Sequence, residues 1–159
     1  QIGQKKNEWA EREKLRFKFW EGLLERSNQK TALFKNISPS HDSWINAGAG
    51  TSGLAYGYVV RKDDCHVELY IDRGKGNEEE IKKIFDYLIS NKIEIEREFG
   101  EPIDWGRLEG RRASRIAKYM DIGGYRNTEE DWPDIQDEMI DVMIRFEKAL
   151  RPYLRELDI

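Results

Sequence analysis

The sequence predicts an α+β domain in which helices cover one face of a mainly antiparallel sheet, and three observations carry that expectation. Trp44 to Asp72 is the only long run with strand-like alternation, and it lies between charged segments of helical periodicity. Within it, Lys62-Asp63-Asp64-Cys65 is short and polar enough to close a hairpin. The apolar residues before and after the run give the order helix, three strands, helix, strand, helix.

Size and composition bound what such a domain does. At 159 residues the chain suits one domain with a real core, with 1–7 read as a linker or frayed terminus and 8–159 as the domain. Charged residues make up 36% and hydrophobic ones 38%, the balance expected of helices with charged outer faces. A net charge of −4 excludes the whole-domain basic footprint of a strong nucleic-acid binder, but leaves room for a local basic patch. Cys65 is the sole cysteine, which rules out an intrachain disulfide and a cysteine zinc cluster and fits a reducing cytoplasm. No apolar run approaches the roughly 20 residues that span a bilayer, and no signal peptide is visible. The chain starts at Gln1 rather than Met, so it is expected to be a piece of something longer.

The first helix is expected over Glu8 to Ser27, where Phe17, Trp20 and Leu24 fall at helical spacing and Leu15, Phe19 and Leu23 widen the stripe. Its first half mixes both signs of charge, as solvated helical faces do. A loop follows, rich in turn formers and set by Pro39. Strands are expected at Trp44 to Ala47, Leu54 to Lys62 and His66 to Asp72. Tyr56, Tyr58 and Val60 share one face of the second strand, opposite Ala55, Gly57 and Val59; Gly57 suggests a bulge or close approach. In the third, Val67, Leu69 and Ile71 face one way and His66, Glu68, Tyr70 and Asp72 the other.

After the turn at Arg73-Gly74-Lys75-Gly76, a helix capped by Asn77, with Glu80 at the capping-box position, is expected to run to Gly100. Ile81, Ile84, Phe85, Leu88, Ile95 and Phe99 form its stripe. A connector leads to a fourth strand over Arg115 to Ile122, broken by Gly123-Gly124. The last helix opens near Trp132-Pro133, with Pro in a favoured first-turn place, and Pro152 is expected to kink it or mark its frayed end.

Several motifs have chemical readings. Gly48, Gly50 and Gly53 spell GxGxxG, but the loop leads into a strand rather than a helix, so a glycine-rich connection is expected instead of a dinucleotide site. The element order matches the core order of PD-(D/E)XK nucleases, whose carboxylates hold a divalent ion beside a lysine. Here Glu68-Leu69-Tyr70 has tyrosine where that lysine belongs, and Asp63 and Asp64 suit a hairpin turn, so no metal site, cofactor or catalytic residue is assigned. Neither His41 with Ser40 and Asp42, nor His66 with Cys65, makes a triad, because triads are built from residues distant in sequence. Arg61, Arg73, Arg111, Arg112 and Arg115 gather near the strand ends with Tyr56, Tyr58 and Tyr70. They are the expected phosphate-gripping and base-stacking residues, although a solvated charged rim is written the same way.

The blocks NISPSHDSWINAGAGTSGLAYGYVVRKDDCHVELYIDRG, FGEPIDWGRLEGRRASRI and WPDIQDEMIDVMIRFEKALRP closely resemble the domain-of-unknown-function 4268 family, from about Leu15 to Arg155. That resemblance implies the C-terminal part of a bacterial or archaeal protein whose N-terminal part is often a PD-(D/E)XK-type nuclease-like domain, in a restriction or phage-defence setting. It brings no catalytic residues. The expectation is therefore a cytoplasmic, non-catalytic accessory domain that binds DNA or RNA beside a nuclease-like partner domain. An oligomerisation or protein-docking module anchored by Trp9, Trp20, Trp105 and Trp132 is one alternative, and a diverged metal-dependent nuclease is the other.

Overall fold

Helical periodicity at the start of the chain produces a longer helix than expected. In the computed structural model, which describes residues 2–157, helix α1 spans Ile2–Ser27. Of the residues read as a linker, 2–7 form its exposed first turns, and Gln1 lies outside the described residues. Only its second half is buried, through Phe19, Trp20, Leu23, Leu24 and Ser27. The Trp20 indole donates to Asp42 O at 2.9 Å and so ties the helix to the loop that enters the sheet.

The alternating run forms β1 (Trp44–Gly48), β2 (Leu54–Val60) and β3 (Cys65–Ile71), paired as an antiparallel meander. The glycine-rich segment is the β1–β2 connection, with Gly50 and Gly53 both at φ 84°, a conformation that costs glycine no Cβ clash. Strand β5 (Ser114–Met120) then pairs with β3, and a strand not expected from sequence, β4 (Asp104–Gly106), covers its far edge. The sheet order is β1-β2-β3-β5-β4, antiparallel throughout. Strand β4 is only three residues long, too short for a period-two signal to register.

The helix expected from Asn77 to Gly100 is two, α2 (Glu78–Ile89) and α3 (Lys92–Phe99), separated at Ser90-Asn91. Asn77 does sit at the N-cap, but its side chain donates to Arg73 O at 2.8 Å instead of accepting from the helix. Glu80 likewise turns away from the cap to accept from Arg73 at 2.9 Å. Gly100 ends α3 in the left-handed region, as its position predicts. Helix α4 (Trp132–Arg155) begins with Pro133 in its first turn and carries Pro152 inside its last.

The core lies between the sheet and the helices. Tyr56 packs edge-on against Phe146 of α4, and Tyr58 lies against Phe34 at 4.7 Å between ring centroids. Trp105 meets Phe85 of α2 and Phe19 of α1 meets Trp132 of α4. Polar ties reinforce the layer. Gln136 donates to Phe19 O at 2.9 Å from within the core, and Arg26 grips Asp137 with two bonds at 2.8 and 2.7 Å. No helix among the described residues is long and apolar enough to cross a membrane.

Candidate functional site

Register decides what the other side of the sheet presents. Because Tyr56, Tyr58, Val67 and Leu69 face the helices, their neighbours in sequence point away. Three rows of side chains cross that outer face. At the end of the β2–β3 hairpin, Trp44, Val59, His66 and Tyr119 stand in register from β1 to β5. The middle row is Asn46, Gly57, Glu68, Ala117 and Asp104, and the far row is Gly48, Ala55, Tyr70, Arg115 and Gly106. No hydrogen bond, ion pair or ring contact among the described residues joins these outward side chains to a helix.

The face without helical cover is nevertheless largely dry at its centre. His66 and Glu68 are only 8% and 6% exposed. The His66 Nε2–H donates to Glu68 Oε1 at 2.8 Å, and Arg115 Nε lies 3.1 Å from the same oxygen. The Arg115 guanidinium also sits 5.5 Å from the centre of the Tyr70 ring, while the His66 ring tilts onto Tyr119 at 4.7 Å. Asn46 lies across Gly57, where a Cβ would strike its side-chain oxygen. That contact, and not a bulge, explains a glycine in mid-strand. The Glu68 carboxylate is thus compensated, whereas His66 Nδ1 and Asn46 Oδ1 are buried without a hydrogen-bond partner among the described residues; the large side chains left to solvent on this face are Trp44 at 49% and Tyr119 at 50%.

The residues expected to bind nucleic acid separate on this frame. Tyr56 and Tyr58 belong to the core at 2% and 0% exposure, so neither ring can stack on a base; only Tyr70 lies on the outer face. The error is one of facing. Alternation pairs the two tyrosines correctly, but tyrosine is amphipathic enough to suit either side. Burial pushes both phenol pKa values up, well above the ordinary tyrosine range.

The arginines are largely neutralised. Asp64 accepts from Arg61 at 2.6 and 2.7 Å, Asp72 accepts from Arg112 at 2.8 and 2.9 Å, and Glu80 holds Arg73. The Arg61 and Arg112 bonds hold the Asp64 and Asp72 carboxyls below the usual aspartate range. Arg111 is exposed and belongs to none of the ion pairs among the described residues. Arg73, Arg111 and Arg112 lie at the end of β3 opposite Arg61, about 20 Å away along a seven-residue strand. They do not converge on one surface. Glu68, the carboxylate weighed for a nuclease site, and Asp72, expected on the same face, are both engaged by guanidinium groups.

Two of the tryptophans considered as interface anchors, Trp20 and Trp132, are buried, and Trp105 packs on Phe85; Trp9 alone is widely exposed, at 59%. Sequence reasoning passed over Trp44, taken only as a strand start, and Tyr119, in a strand whose facing was not assigned. The signal for Tyr119 was its even spacing from Arg115.

A family model described as "Domain of unknown function (DUF4268)" matches residues 15–154, and the chain belongs to that family. No curated protein and no solved structure matches it.

Proposed function

We propose that this member of the DUF4268 family is a non-catalytic accessory domain that binds single-stranded nucleic acid on the uncovered face of its sheet. The observation that carries this is the in-register row Trp44–Val59–His66–Tyr119. Its two outer rings are half-exposed and stand three strands apart, about 14 Å at the usual strand spacing. Aromatic rings left open on a flat sheet are platforms for bases, and stacking tolerates any sequence. Arg61 and Lys62 follow directly after β2 at the same end, where a backbone would leave the platform. The compensated Glu68 in the middle row repels phosphates less than a free carboxylate would, but it still favours a path along the hairpin end. A nuclease-like partner domain and a cytoplasmic setting are parts of the same proposal, and they rest on the family resemblance and on Cys65.

The test is fluorescence anisotropy with a labelled single-stranded oligonucleotide at low salt. Trp44→Ala and Tyr119→Ala should each weaken binding by about 5- to 150-fold, the loss of one stacked base at about 1–3 kcal/mol. Affinity weaker than about 100 μM at low salt, or affinity untouched by both variants, refutes the proposal.

A protein-docking role is the second reading. What favours it is Trp9, exposed on α1 three turns before the buried Trp20 and on the same side of the helix, with Ile2 one heptad further out. Light scattering across concentration separates the two. A dimer that dissociates on Trp9→Ala, with no binding of the oligonucleotide, decides for docking.

A further inference from the structure

A cleft of about 360 Å³ lies between the middle of α1 and the β2–β3 hairpin, lined by Arg12, Arg16, Ser43, Arg61, Lys62, Asp63, Asp64 and Tyr125. We infer that it is a phosphate-binding site, with Arg12, Arg16 and Lys62 as its cationic walls and Ser43 as a neutral donor. The inference stands on these residues alone and does not depend on the sheet face holding a strand.

The charges are unbalanced once partners are assigned. Asp64 is committed to Arg61, and Asp63 lies 3.5 Å from Arg126. Arg12, Arg16 and Lys62 belong to none of the ion pairs within 4.0 Å among the described residues. Most arginines elsewhere are held, since Arg26, Arg73, Arg107, Arg112, Arg145 and Arg151 each meet a carboxylate, and what sets the cleft apart is that three unpaired cations share one lining. Arg12 and Arg16 are also one helical turn apart, a like-charge spacing that destabilises a helix unless an anion lies between.

Arg16 adds a second, independent observation. Its guanidinium lies 5.7 Å from the centre of the Tyr125 ring, and its Nε is buried with no acceptor. That nitrogen is closed off from solvent, so what Arg16 offers an anion in the cleft is its guanidinium charge, held in place against Tyr125. Guanidinium groups match the oxygens of phosphate in paired hydrogen bonds. A tetrahedral phosphate also offers oxygens in more directions than a planar carboxylate, which suits donors arriving from a helix on one side and a hairpin on the other. The volume exceeds what one phosphate fills and leaves room for an attached group, so the class is a phosphate monoester: the end of a nucleic-acid strand or a small organic phosphate.

The experiment is an NMR titration of the protein with inorganic phosphate at constant ionic strength, following the arginine Nε–H signals and the Tyr125 amide. Saturable shifts with a dissociation constant below about 10 mM are expected. Arg12→Gln and Lys62→Gln should each weaken binding at least about tenfold, whereas Arg97→Gln, on α3 and outside the cleft lining, should not. Neither replaced side chain is in the core, so both variants keep the test valid even if Arg16→Gln, which unseats a ring contact, fails to fold. A 5′-phosphorylated dinucleotide, its 5′-hydroxyl counterpart and glycerol phosphate then distinguish the sources. Tighter binding of the phosphorylated dinucleotide than of glycerol phosphate assigns a strand end, equal binding assigns a free ester, and both uphold the site. Shifts that never saturate, or equal weakening by Arg97→Gln, overturn it.

Discussion

Replacing Gly124 by alanine should cost this domain more stability than its small size suggests. Gly124 is buried where the segment after β5 docks against the β2–β3 hairpin, and Tyr125 N and Arg126 N donate to Arg61 O and Lys62 O, both at 3.0 Å. A Cβ built on it would stand 2.6 Å from Lys62 O and closer still to Arg61 O. Both obstacles are backbone, so neither can swing aside as a flexible side chain does. Relief requires the two segments to part by about 1 Å, at an overpacking cost of about 1–3 kcal/mol. Parting also lengthens the two hydrogen bonds, each a net contribution of about 1 kcal/mol. The expected loss is about 3–5 kcal/mol, a large share of the roughly 5–15 kcal/mol that such a domain has. In a chain of this length it corresponds to a fall in Tm of about 10 °C. Urea denaturation followed by circular dichroism measures it, with Gly48→Ala as the control, because nothing lies within 4 Å of a Cβ at Gly48. A Gly124→Ala protein within about 0.5 kcal/mol of the parent, the usual scatter of surface changes, would show that this close approach does not constrain the fold.

Two further outcomes follow from the polar contacts. The Lys82 ammonium shares its three hydrogens among Arg107 O, Leu108 O, Ala113 O and Ser114 Oγ, pinning the β4–β5 loop around Leu108, whose φ is 57°. Burial, and then the nearby Arg107, lower its pKa from the lysine value. Lys82→Met should lose about 2 kcal/mol in urea denaturation, since carbonyls are left unpaired, and should speed hydrogen exchange at Arg111 N; unchanged exchange there refutes the pinning. Acid should destabilise the protein in a defined window. The Asp137 carboxyl is held below its usual 3.8 chiefly by the Arg26 hydrogen bonds, so the unfolded chain takes up its proton first. Its contribution is full above 3.8 and fades as pH falls through the lower, folded value. The pair is more than a third exposed, so the effect is expected to stay below about 1 kcal/mol. Asp137→Asn should flatten the acid limb of the urea midpoint plotted against pH, and an identical limb refutes the assignment.

What was legible in the sequence was whatever local periodicity fixes. The β1–β2–β3 meander, the facing of β3 and the start of α4 at Trp132-Pro133 follow from alternation, turn residues and capping, all within a few positions. What was not legible depended on pairing at a distance. Strand β5 joins β3 across more than forty residues, and only that pairing puts Tyr119 beside His66 and Arg115 beside Glu68. Whether Tyr56 and Tyr58 point inward depends on where the helices pack, which no residue in β2 states. The break between α2 and α3 falls at Ser90-Asn91, residues that a continuous helix also tolerates, and the stripe from Ile81 to Phe99 carries straight through it.

The arginines show why composition misleads about binding surfaces. Arg61, Arg73, Arg112 and Arg115 look like a basic patch when read along the chain, and each meets a carboxylate in the fold. A cation already held by a carboxylate must give up that partner, or share it, to grip a phosphate, so its net gain in binding is small. Arg12 and Arg16 sit in a stretch where Glu8, Glu11 and Glu13 stand beside them in sequence, and they read as half of a neutral helical face. Helical geometry turns them toward the hairpin while Lys14 takes Glu11, at 3.9 Å, on the outer side. Attraction for an anion therefore follows the balance of partners in space rather than the density of basic residues in the chain. On that criterion the hairpin end of this sheet, where unpaired cations line a cleft, is the place to look for an anion.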